Sequence, residues 1–118
     1  MNTELTKVYE KIRNYCRNRS TYESGGHVYK NYDIDFFEPV EKHESCYLPN
    51  IEFYMNLINK KEDILFSFHS HLEETQPSEE DISFIRVYNI NSLIYILKSD
   101  KFLSVNTKYE KNYFPWVP

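Results

Sequence analysis

A chain of 118 residues fits one compact domain of about the commonest size, and its 41% hydrophobic and 17% aromatic content supplies apolar surface for one core. A formal net charge of −4 argues against a nucleic-acid partner, because phosphate backbones are held by clustered Lys and Arg. No run approaches the ~20 apolar residues of a membrane helix, and the opening MNTELTKVYEKIRNYCRNR lacks the apolar centre of a signal peptide, so a cytoplasmic protein with no membrane partner is expected.

Leu5, Val8, Ile12 and Tyr15 or Cys16 recur at spacings of three and four, which predicts a helix over about residues 3–18 with one buried face. The only two glycines, Gly25 and Gly26, precede the strand-like runs HVYK and DIDFFEPV, the second with Ile34 and Phe36 on one face. After Pro49, Asn50 is placed to cap a helix in which Ile51, Tyr54, Met55 and Ile58 repeat the helical spacing. Ile64, Phe66 and Phe68 then alternate with Leu65, Ser67 and His69 in a strand that runs into His71. LEETQP reads as a loop, and Ser78 followed by Asp81 as the cap of a helix carrying Ile82, Ile85 and Val87 or Tyr88. Two or three strands close the chain, in SLIYILK, KFLSVN and KYEKNYFPWVP. The order of elements predicts an α/β or mixed α+β domain spanning 1–118, with helices packed on a sheet.

Two His one residue apart on a strand project to the same side of the pleat, so His69 and His71 can present imidazole nitrogens to one ion while Ser70 points away. Asp81, in the first turn of the next helix, is a carboxylate that the intervening loop can fold back toward the strand end. His, His and Asp make three protein ligands and leave a fourth tetrahedral position for water, the pattern of a catalytic zinc site. The chemistry that follows is hydrolysis. His27 and His43 have no place in this pattern and read as structural or surface residues. Cys16 and Cys46 are far apart without metal-type spacing, which predicts reduced thiols.

The run HSHLEETQPSEEDI resembles the motif of the JAMM (MPN+) zinc metallopeptidases, in which His-Ser/Thr-His is followed by a loop, a Ser, two residues and an Asp. Upstream, YESGGHVY resembles the Glu-containing first-strand signature of that family. The resemblance spans roughly residues 20 to 97. It implies a single MPN/JAB-like domain with a central mixed sheet flanked by helices, in a layout like that of the cytidine deaminases. It also implies zinc on His69, His71 and Asp81, Glu23 as general acid/base on the attacking water, and Ser78 as a donor to the oxyanion. The substrate class implied is the C-terminal tail of a ubiquitin-like or sulfur-carrier protein, bound extended along an exposed strand edge. Two other readings stand beside it: a metal-free MPN scaffold, or a phage or defence-system hydrolase with a dedicated partner. The chain departs from the family pattern in a one-residue-shorter loop between His71 and Ser78, in Leu72 where a Pro commonly stands, and in Lys30 where a Gly commonly stands.

Overall fold

The computed structural model describes residues 2–117, which form a mixed α/β domain. A six-stranded sheet has the order β2-β1-β5-β6-β7-β8, with β1 Gly25–Tyr29, β2 Ile34–Phe37, β5 Ile64–His71, β6 Ser92–Ile96, β7 Lys101–Val105 and β8 Lys111–Pro115. β5 and β6 run parallel and every other neighbouring pair in the sheet is antiparallel. The parallel pair requires a crossover, and α3 (Glu79–Tyr88) supplies it.

Alternation along the strands sorts the core into two layers. Val28, Phe66, Phe68, Leu93, Tyr95 and Phe102 pack with Val8, Ile12 and Cys16 of α1 (Thr3–Arg17). The opposite face meets the other two helices. Phe37, Ile64 and Ile90 pack with Phe53 and Leu57 of α2 (Ile51–Asn59), and Ile94, Ile96, Leu103 and Val105 pack with Ile85 of α3. α1 is pinned to the sheet by Arg13, whose guanidinium donates Nε and Nη2 to the two carboxylate oxygens of Asp100 at 2.8 and 2.9 Å. Among the described residues no helix is long and apolar enough to cross a membrane.

The expected helices and strands are present, with two differences. The run DIDFFEPV is not one strand: it breaks at Glu38, and Pro39–Glu41 (β3) leaves the sheet to pair with Leu48–Pro49 (β4) in a separate ribbon. Glu38 is the anchor of that break, because Tyr15, Arg19 and Tyr22 all donate to its carboxylate. α2 forms behind its Asn50 cap as expected, but it buries Phe53 and Leu57 and leaves Ile51, Met55 and Ile58 exposed. On α3 the alternative is resolved in favour of Tyr88, which packs inward while Val87 is exposed.

Neither glycine has a positive φ; both are required by space. A Cβ on Gly26 would lie 2.0 Å from the Asp35 carbonyl oxygen across the β1–β2 pair, and one on Gly25 would lie 2.4 Å from the Phe68 carbonyl oxygen and 2.7 Å from the Tyr47 ring. A strand carbonyl cannot move aside as a flexible side chain can. Gly26→Ala is therefore expected to cost at least about 2 kcal/mol, read as a lower denaturation midpoint with an unchanged m-value; a midpoint at the wild-type concentration would show that β1 and β2 can part.

Candidate metal centre

The site lies at the carboxyl end of β5, where the chain leaves the sheet toward α3. Ser67, His69 and His71 share the face of β5 that meets α2 and α3, whereas Phe66, Phe68 and Ser70 face α1. His69 Nε2 and His71 Nε2 are 3.2 Å apart. Asp81 spans both, with Oδ1 3.0 Å from His69 Nε2 and Oδ2 3.0 Å from His71 Nε2. Ligand atoms about 2.1 Å from a tetrahedral zinc lie roughly 3.4 Å from one another, so the three donors stand close to the spacing that one such ion requires.

The sequence builds this cluster through a helix cap. Ser78 Oγ accepts from the Asp81 N–H at 3.1 Å, and the Ser78 N–H donates to Asp81 Oδ2 at 2.9 Å, a reciprocal capping box that fixes both residues. Asp81 thus occupies the positive end of α3 and turns its other lone pairs to the imidazoles. Six residues of loop between His71 and Ser78 suffice for this closure. The loop also orients an imidazole: His71 Nδ1 donates to the Glu74 carbonyl oxygen at 3.0 Å. That bond leaves Nε2 directed at His69 and Asp81, as an outer-shell carbonyl does for a metal-bound imidazole.

Two imidazole nitrogens and the carboxylate converge on one point, and a proton or a cation shared there relieves the repulsion of their lone pairs. Burial works against charge on His69, but Asp81 outweighs it and holds that imidazole above its ordinary pKa. Burial likewise opposes ionisation of Asp81, yet His69, His71 and the Ser78 N–H hold its carboxyl far below the usual range. Two neutral-capable imidazoles and one committed carboxylate are a donor set that suits zinc.

Glu23 is the fourth member. It is buried, and it offers a carboxylate oxygen within 4.8 Å of donor atoms on His69 and His71. Asp81, with one oxygen 3.0 Å from each nitrogen, is the closer carboxylate, and Glu23 stands farther out, within 4.8 Å, as a second carboxylate that could complete a donor set with the two His. Its carboxylate makes no hydrogen bond to another described residue, and burial pushes its pKa up to about 7, with Asp81 adding to the rise and the two His opposing it. The backbone around it is locked: the Ser24 N–H donates to Ser70 Oγ at 3.0 Å, the Ser70 N–H donates to the Ser24 carbonyl at 2.8 Å, and Gly25 is the register partner of His69.

All five residues singled out in the sequence, Glu23, His69, His71, Ser78 and Asp81, line one cleft of about 270 Å³. The remaining His lie where they were expected. His27 is fully buried between Ser67 and the Phe53 carbonyl, and His43 is exposed beside Glu41. Both cysteines are free thiols. Sequence reasoning missed the aromatic wall of the cleft, Tyr47, Phe53, Tyr54 and Phe84, and its floor, Ser67 and Ser92. The period-2 step from His69 back to Ser67 could have signalled one of these; nothing in the sequence signals Ser92.

His71→Ala removes the nitrogen that meets both other donors and is expected to lose most of about one zinc per chain, measured by elemental analysis after expression with added zinc; folded wild-type protein without zinc would reject the centre. No family model matches the chain and no curated protein matches it, so the reading of the site rests on this geometry.

Proposed function

We propose that the chain is a zinc-dependent peptidase or isopeptidase of the JAMM kind. Its reaction is hydrolysis of the (iso)peptide bond after the C-terminal tail of a ubiquitin-like or sulfur-carrier protein, in the cytoplasm. One observation carries the reading: His69, His71 and Asp81 meet within 3.0–3.2 Å, and a separate buried carboxylate, Glu23, faces the same point with its pKa near 7. A scaffold has no use for a base poised at the working pH beside three converging donors. His69, His71 and Asp81 would hold the zinc, which would supply an acidified water and a Lewis acid.

The chain's own groups account for the proton movements. Glu23, free of other hydrogen bonds, takes the proton of the attacking water and delivers it to the leaving amine. Ser78 Oγ already accepts from the Asp81 N–H, so its own proton is available to the carbonyl oxygen as charge develops there. Asp81 and the Glu74 carbonyl hold the two imidazoles still, which keeps the arrangement organised before substrate arrives. The β3–β4 ribbon flanks the cleft through Ser45–Pro49, and a strand edge there suits an extended tail, which binds through backbone hydrogen bonds.

Two variants separate these roles. Glu23→Gln is expected to abolish cleavage of a ubiquitin-like tail fused to a reporter while zinc content and tail binding persist; loss of zinc, or unchanged turnover, would reject the base assignment. Ser78→Asp retains a side chain able to cap α3 but cannot donate a proton and repels an oxyanion, so it is expected to stay folded with activity down at least roughly 10²-fold. Full activity of that folded, zinc-loaded variant would reduce Ser78 to a cap.

A further inference from the structure

The cleft that holds the donors is also lined by a group of aromatic rings and by two buried serines. Tyr47, Phe53, Tyr54 and Phe84 line its sides, and Ser67 and Ser92 lie at its base. The two serines are register partners on the parallel β5–β6 pair, so their side chains stand next to each other on one face. Both residues are buried, Ser92 with 4% of its surface exposed.

The two hydroxyls have different partners. His27 Nε2 lies 2.9 Å from the Phe53 carbonyl and must donate to it, so Nδ1 accepts, and Ser67 Oγ at 2.8 Å is its donor. Burial holds His27 below its ordinary pKa and therefore neutral, which keeps that tautomer. Ser67 consequently has no proton left to offer but retains acceptor lone pairs. The Ser92 hydroxyl makes no hydrogen bond to another described residue, although its backbone is paired in the sheet. Because no fully enclosed side-chain oxygen or nitrogen among the described residues lacks a partner, the Ser92 hydroxyl must open into the cleft that it lines.

We propose that this pocket is a subsite for a tyrosine side chain of the substrate, held with its ring between the aromatic walls and its phenol on the two serines. The phenol O–H donates to Ser67 Oγ and its oxygen accepts from Ser92 Oγ, so both hydroxyls and the phenol are satisfied together. A cavity of about 150 Å³ takes a benzene-sized ring, so a cleft of about 270 Å³ has room for the ring and for the backbone that carries it. The distance fits as well. Ser67 precedes His69 by two residues, about 7 Å along the strand, which is close to the reach of a tyrosine side chain from a backbone lying at the metal donors. The seated tyrosine therefore belongs to a residue flanking the bond to be cut. Phenylalanine would displace water from the serines without replacing its hydrogen bonds, and glycine would leave the aromatic walls uncovered.

The role of this subsite in specificity rests on the hydrolase reading, but its occupancy does not, and the test separates the two. The full chain is titrated with N-acetyl-tyrosine amide, N-acetyl-phenylalanine amide and N-acetyl-glycine amide, followed by backbone amide NMR shifts. Tyrosine amide is expected to bind about five- to tenfold more tightly than phenylalanine amide, with shifts at Ser67, Ser92, Phe53 and Phe84, and glycine amide is expected not to bind. Ser92→Ala should shrink the advantage of tyrosine over phenylalanine from both sides, weakening tyrosine amide and leaving phenylalanine amide as tight as before or tighter, because one of the hydroxyls that phenylalanine leaves dehydrated is gone. Equal or tighter binding of phenylalanine amide by the wild type, or shifts confined to other residues, would overturn the proposal, and this comparison decides even if Ser92→Ala does not fold. Tyrosine amide seated in the pocket of a chain that cleaves no peptide would sustain the subsite and sink the hydrolase. Efficient cleavage of tails with glycine at both flanking positions, without tyrosine binding, would do the reverse.

Discussion

The Asp81 carboxylate has to satisfy a helix and two imidazoles at the same time. Its Oδ2 accepts from the Ser78 N–H while facing His71, and its Oδ1 faces His69. A carboxylate has lone pairs enough for both duties, but only if the start of α3 is held against the end of β5 to within a few tenths of an ångström. The parallel β5–β6 pair enforces that placement. α3 is the crossover between those strands, its Ile85 packs in the same cluster as Ile94 and Ile96 of β6, and Asn89 closes it in the left-handed region. The helix can neither slide nor turn without opening the core, so the carboxylate stays where the imidazoles need it.

The same constraint explains the glycines. Glu23 reaches the cluster only because β1 lies close against β5 on one side and β2 on the other, and the two positions after Ser24 have no room for a Cβ. Gly25 serves a second contact, since the Tyr47 ring that a Cβ would strike also lies nearly parallel to the His69 imidazole, 5° between planes. Tyr47 is in turn fixed by its hydroxyl, which donates to the Phe37 carbonyl at 2.6 Å. Ribbon, first strand and the His69 imidazole are thus coupled through one ring.

What the sequence made legible follows from the range of each interaction. The pleat puts His69 and His71 on one side whatever surrounds them, and a cap is local to four residues, so the donors and Ser78 could be read directly. Strand and helix periods are local too, and those elements appear at the expected positions. The failures depend on distant partners. The break at Glu38 exists because Tyr15, Arg19 and Tyr22, far away in sequence, converge on its carboxylate. α2 turns Phe53 and Leu57 inward because the opposing surface is built of Phe37, Ile64 and Ile90. Its apolar residues lie on more than one side, and spacing alone does not choose between them. Ser92 enters the cleft only because β6 pairs in register with β5, a fact no local pattern contains.

Function and folding pull in opposite directions at this cluster. Two imidazoles, the buried carboxylate of Glu23 and the half-buried one of Asp81 are brought together where each would be better solvated apart. The capping box and the core under α3 supply the stability that offsets this, and the outcome is a set of donors already in place, not one assembled by the ion. A preformed set loses little conformational freedom on binding. For any cation that these donors would hold, protons compete for the same imidazole nitrogens, so occupancy would fall as acid strengthens that competitor. Glu23 stands outside the competition because it is not among the closest donors. Its pKa near 7 comes first from burial, a property of the fold, and so this carboxyl is tuned by the same packing of β1 against β5 that positions it.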